Sequence, residues 1–145
     1  MPTYAYITQA HEIRDILTAC APSFHDTAIA GESQIASLSA KFSKAARVLV
    51  VREQDTVLGF CAYYANDLTN LTAYISMIVI TAEAQGRGIG SQLLSRVIED
   101  SRRRGMTTLR LEVALDNERA LGFYAKHGFS FEHGTGDHLY LIRAL

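Results

Sequence analysis

The sequence predicts a single α/β (α+β) domain spanning residues 1–145, and three observations carry that expectation. Segments of period two and of period 3.6 alternate along the chain, as strands and helices do. The apolar, β-branched run Tyr74-Ile75-Ser76-Met77-Ile78-Val79-Ile80 passes through Gln85-Gly86-Arg87-Gly88-Ile89-Gly90 into a stretch with Ile89, Leu93, Leu94, Val97 and Ile98 at helical spacing. The length of 145 residues suits one buried core, and no repeat, low-complexity tract or linker marks a second unit.

The elements follow in order. Thr3 to Ile7 is a short first strand, and Thr8 is placed to cap the helix from Gln9 to Cys20, which turns Ile13, Ile16 and Leu17 inward. Pro22 ends that helix, and residues 23–31 read as a loop. Glu32 to Ala45 is a second helix built on Ile35, Leu38 and Phe42. Val48–Arg52 and Val57–Tyr64 are strands joined by the hairpin turn Glu53-Gln54-Asp55-Thr56. A polar connection from Asn66 to Leu71 leads into the strand at Tyr74–Ile80. The third helix runs from Gly88 to about Arg104, with Arg102, Arg103 and Arg104 in its last turn and Gly105 just past it. Thr107–Val113 alternates as a strand, and Asp116 or Asn117 caps a fourth helix carrying Ala120, Leu121, Tyr124 and Ala125. Gly128 stops it, Phe129-Ser130-Phe131 opens another strand, and His138–Arg143 is the last.

Composition excludes several classes. Apolar residues make 48% of the chain and charged residues 20%, an ordinary globular balance. A formal net charge of −1 argues against a general grip on nucleic acid, and the Arg102–Arg104 cluster reads as a solvated helix end. Cys20 and Cys61 form no Cys-x-x-Cys pair, and no histidine stands at zinc spacing from them, so no metal site is expected and Cys61 reads as a buried free thiol. No signal segment or bilayer-length apolar run is present, and the expected location is cytoplasmic without a membrane partner.

The glycine-rich turn carries chemistry. Glycines at a strand-to-helix turn leave backbone N–H groups unshielded, and the helix dipole points its positive end the same way, so the turn suits phosphate. A Walker loop would need Lys before Ser or Thr, but Gly90 is followed by Ser91-Gln92. A dinucleotide fingerprint would need Gly-x-Gly-x-x-Gly, and the run from Gly86 is one residue short. The spacing that fits is Gln-x-x-Gly-x-Gly, Gln85 to Gly90. It resembles the acetyl-CoA pyrophosphate loop of the GNAT superfamily of N-acetyltransferases. A second phrase, Leu111-Glu112-Val113 … Asn117 … Ala120-Leu121-Gly122-Phe123-Tyr124-Ala125-Lys126-His127-Gly128-Phe129, resembles that family's "L-x-V … N … A-x-x-x-Y-x-x-x-G-F". The two phrases stand in the family's order and cover residues 74–131.

The resemblance implies a mixed, mostly antiparallel sheet of about seven strands, with about four helices on its two faces. Its fourth and fifth strands would run parallel and splay apart where acetyl-CoA enters. It also implies an acetyl-CoA-dependent N-acetyltransferase without a metal. Ile78, Val79 and Ile80 would offer backbone to the pantetheine, and one N–H there would stabilise the oxyanion. Gly86, Gly88, Ile89, Gly90 and Ser91, with Gln85, would hold the pyrophosphate, and Arg87 would add a charge or stay solvated. Asn117 would lie near the pantetheine as well as cap its helix. Tyr124 would protonate the leaving thiolate, although its spacing alone fits a packed core aromatic. Glu112 stands where some members keep a general base, and equally where an exposed strand carboxylate would stand.

Two departures qualify this. Histone-type members place a glutamate where Tyr74 stands, and the family's proline before the loop is Ala82 here. The N-terminal half carries no signature of the acceptor. Tyr63, Tyr64, Asn66 and Asp67 lie near a connection that could line an amine pocket, and Asp67 equally suits a polar turn. Three readings stay open: a small-molecule amine acetyltransferase, a protein N-terminal or lysine acetyltransferase, and a non-catalytic acyl-CoA-binding module. A homodimer is left open as well.

Overall fold

The computed structural model describes residues 1–145. Seven strands, β1 (Thr3–Ile7), β2 (Arg47–Glu53), β3 (Thr56–Tyr64), β4 (Thr72–Ile80), β5 (Thr108–Ala114), β6 (Ser130–Thr135) and β7 (His138–Ala144), form one sheet in the order β1-β2-β3-β4-β5-β7-β6. Only β4 and β5 pair in parallel; every other neighbour is antiparallel. Four helices, α1 (Ala10–Cys20), α2 (Glu32–Ala45), α3 (Ile89–Arg103) and α4 (Glu118–Lys126), complete the expected order.

The alternation within strands divides the core into two layers. Val48, Val50, Phe60 and Ala62 pack against α1 and α2 through Ile13, Leu17, Ile35 and Phe42. Leu49, Cys61 and Tyr63, on the opposite face, join Leu93, Leu94, Val97 and Tyr124 of α3 and α4. Cys61 is a fully buried free thiol, as expected.

Local differences have local causes. The cap of α1 falls on Gln9 rather than Thr8, because the Glu12 carboxylate reaches back to accept from the Gln9 N–H at 3.3 Å. Pro22 does not simply end the helix; it sits inside a single 3-10 turn, Ala21–Ser23. The segment expected as loop holds a second such turn, Thr27–Ile29, where Asp26 Oδ1 accepts from the Ala28 N–H at 3.0 Å. No helix is long and apolar enough to cross a membrane.

Candidate active site

The site is created where the sheet fails to close. Parallel pairing joins Thr72–Ile75 to Thr108–Leu111 and goes no further. From Glu112 onward β5 is paired by β7 alone, so the β5-facing edge of Met77–Ile80 is left without a strand. The divergence starts at a bulge. Tyr63 faces Ile75 and Ala62 faces Met77, leaving Ser76 as the extra residue. A bulge bends its strand and shifts the side-chain alternation by one. Accordingly Ala73 and Ile75 pack toward α3 and α4, whereas Met77 and Val79 pack toward α1 and α2.

Beyond β4 the loop makes an anion cradle. Gly86 and Gly88 adopt φ of +80° and +77°, left-handed values that glycine takes without strain. No backbone N–H from Gly86 to Ser91 donates to a protein acceptor; the first paired one is Gln92, which donates to the Gly88 carbonyl at 3.1 Å. A run of free donors at the N-terminus of a 15-residue helix fits a pyrophosphate. The cradle opens into a cavity of about 620 Å³ lined by Ile78–Ile80 on one side and by Asn117, Arg119, Phe123, Tyr124 and Lys126 on the other.

Arg87 is turned elsewhere. Its guanidinium donates to both oxygens of Glu53 at 3.0 and 3.1 Å, and it does not line the cavity. The cationic lining comes instead from Arg119 and Lys126, which the sequence reading did not single out. Arg119 donates to the Gln85 side chain, whose amide in turn donates to the Ile80 carbonyl at 3.4 Å. Ser91 and His127 add a further contact, Oγ to Nε2 at 2.9 Å, and burial holds the His127 imidazole below its usual pKa, helped by Lys126 and Arg143.

A second cavity of about 360 Å³ lies across the splay, lined by Tyr74, Ser76 and Met77 of β4, Glu112 of β5, His138 of β7, and Phe24, His25, Asp26 and Ile29. The two cavities share His25, Ile78, Val79, Asn117, Ala120 and Tyr124. Tyr124 is 6% exposed, and its hydroxyl makes no hydrogen bond to protein. Burial pushes its pKa up, so the phenol stays protonated through the neutral range. Asn117 caps α4 as expected, accepting from the Ala120 N–H at 3.3 Å. Glu112 keeps a side chain 33% exposed, 3.8 Å from His138 Nε2. Tyr74 is half-buried, and burial first, then the Glu112 carboxylate, raise its phenol, with Arg110 opposing.

The residues expected near the β3–β4 connection stand apart. Tyr63 is fully buried under α3, where its hydroxyl donates to Asp100 Oδ2 at 2.5 Å. Tyr64 packs against the α1–α2 layer, and Asp67 accepts from the Thr69 and Asn70 N–H groups at 3.0 and 2.9 Å, closing its own turn. Neither lines either cavity. His25 and Asp26, which do, stand in residues 23–31, a stretch whose sequence reads only as a loop.

A splayed parallel pair, a bulge at its root and a glycine cradle beside it together form one candidate site, at the open end of the sheet. Comparison with known proteins gives the class: residues 10–129 match the Acetyltransferase (GNAT) family, and the chain belongs to that family. Among curated relatives, N-alpha-acetyltransferase 30 of Schizosaccharomyces pombe is 33% identical over 82 residues, which are 55% of this chain and 55% of that protein. The match thus spans about half the length of that relative. Among solved structures, a PaiA N-acetyltransferase from Thermoplasma acidophilum in complex with coenzyme A has a TM-score of 0.78 at 16% identity, covering 99% of both chains. The ribosomal-protein-S18-alanine N-acetyltransferase from Escherichia coli has a TM-score of 0.81 at 17% identity, covering 99% of this chain and 94% of that one. These two likenesses show the GNAT fold.

Proposed function

We propose that this protein transfers the acetyl group of acetyl-CoA to the primary amine of a small molecule, by direct attack while both are bound. The junction of a cationic cavity with a second cavity at Tyr124 carries this reading. Acetyl-CoA supplies an activated thioester. The free N–H groups from Gly86 to Ser91 hold its pyrophosphate, with Arg119 and Lys126 adding charge. The open edge of Ile78–Ile80 pairs with the pantetheine amides, and Asn117 lies beside them. A backbone N–H on that edge stabilises the charge developing on the carbonyl oxygen, a contribution of about 3–4 kcal/mol. Glu112 takes the amine proton, directly or through water, and Tyr124 gives its own to the departing thiolate.

A second reading is a protein N-terminus as acceptor, supported by the 33% identity to an N-alpha-acetyltransferase. Thiol release from acetyl-CoA, followed across a panel of small amines and short peptides, tests both. Turnover with small amines supports the first reading. Turnover confined to peptides replaces it with the second. Tight acetyl-CoA binding without turnover on any acceptor leaves a non-catalytic binding module.

A further inference from the structure

We propose that the acceptor is an aliphatic amine carrying a second cationic group and no carboxylate. This names the substrate class of the transferase reading above and rests on it. The two joined cavities differ in charge. The larger is lined by Arg119 and Lys126 and by no carboxylate, as suits a phosphorylated donor. The smaller is lined by Asp26 and Glu112 and by no lysine or arginine. The two histidines on its wall do not reverse that sign. His25 meets Asp116 at 2.9 Å, and His138 meets Asp137 at 2.8 Å and Glu112 at 3.8 Å. Arg110, two residues before Glu112 on the same face of β5, is held by Glu132 at 2.8 Å and lies over the Tyr140 ring.

An acceptor entering this cavity therefore meets the carboxylates of Asp26 and Glu112 on the wall, with no lysine or arginine beside them. A free amino acid would bring its own carboxylate against Asp26 and Glu112, and like charges set together are strongly disfavoured. A distal ammonium finds the opposite. Tyr74 puts an aromatic ring, a group that attracts cations, on the wall, and Phe24 and Ile29 add apolar surface for the methylene chain between the two nitrogens. The same charge division keeps the donor phosphates on their own side of Tyr124.

The test compares cadaverine, pentylamine and δ-aminovalerate, chains of similar length ending in an ammonium, a methyl and a carboxylate. The expected order of kcat/KM is cadaverine, pentylamine, δ-aminovalerate, with about tenfold or more between the extremes. The spread should narrow at high salt. Asp26→Asn, which keeps an oxygen to accept from the Ala28 N–H, should lower the ratio of cadaverine to pentylamine. If δ-aminovalerate is acetylated as fast as cadaverine, the inference fails and the transferase reading stands. If acetyl-CoA binds and no amine releases thiol, both fail.

Discussion

The Tyr124→Phe variant separates chemistry from architecture. Tyr124 lines both cavities and its hydroxyl bonds to no protein group, so removal of that hydroxyl orphans no partner. The ring remains, still packed edge-on against Phe123 and Phe129 at 5.4 Å between centroids. Stability should change by less than about 1 kcal/mol, since no intramolecular hydrogen bond is lost. The glycine cradle, Arg119 and Lys126 are untouched, so acetyl-CoA affinity should hold. Turnover should not. A positioned acid that gives the departing sulfur a proton spares the buried site a bare thiolate, and such an acid is typically worth about 10²–10⁴ in rate. That corresponds to about 3–5 kcal/mol in the barrier. Because burial raises the Tyr124 pKa, the wild-type rate should show no alkaline loss from this group at moderately basic pH. The assay is thiol release at saturating acetyl-CoA and amine, with a melting curve and a calorimetric Kd on the same preparation. Wild-type kcat in the variant would refute the acid role.

Other outcomes follow from the same geometry. Gly88→Ala places a methyl in open space, so no clash arises, but φ of +77° costs a non-glycine residue about 1–2 kcal/mol, and the methyl stands over the N–H cradle. Both a lower melting temperature and a higher KM for acetyl-CoA are expected; an unchanged KM would remove the cradle from the donor site. Arg119→Ala should raise the acetyl-CoA Kd about tenfold, while Arg87→Ala should change it little because Glu53 already holds that guanidinium. Calorimetry that ranks the two the other way would return the phosphate contact to Arg87. Burial works against the Asp100 carboxylate, yet the Tyr63 hydroxyl, Arg47 and Arg104 hold its pKa below the usual range. That stabilisation is complete above about pH 4, the ordinary aspartate value, and is lost as pH falls through the lowered one. Asp100→Asn should cost about 2–3 kcal/mol at neutral pH and flatten this acid limb in denaturant titrations.

Much of the fold was legible because its signals are local. Ile89, Leu93, Leu94 and Val97 recur at helical spacing, and all four are buried on α3. Asn117 reads as a cap from its neighbours alone, and it caps. The glycines at Gly86 and Gly88 announce a backbone that needs them. What was not legible depends on distant partners. The Ser76 bulge exists only relative to the register of Ala62 and Tyr63 on β3. Arg87 looks free until Glu53, 34 residues earlier, is brought beside it. His25 and Asp116, 91 residues apart, meet only because the segment after α1 folds over the splayed end of the sheet. Tyr63 and Asp67 fail as pocket residues for opposite reasons, one claimed by the core and the other by its own turn.

The short contact between β4 and β5 has a thermodynamic side. Ladder pairing joins the two halves of the sheet through only the residues from Thr72 to Ile75 and their partners. A donor molecule whose amides lie along Met77–Ile80 would act as the absent strand, and the energy of holding it would become energy of holding the fold. A ligand present at 100 times its Kd adds about 2.7 kcal/mol to the native state. Between meals of substrate and famine, the survival of the chain against heat and proteases would then track the supply of its acyl donor, making the unfinished sheet a gauge as well as a workbench.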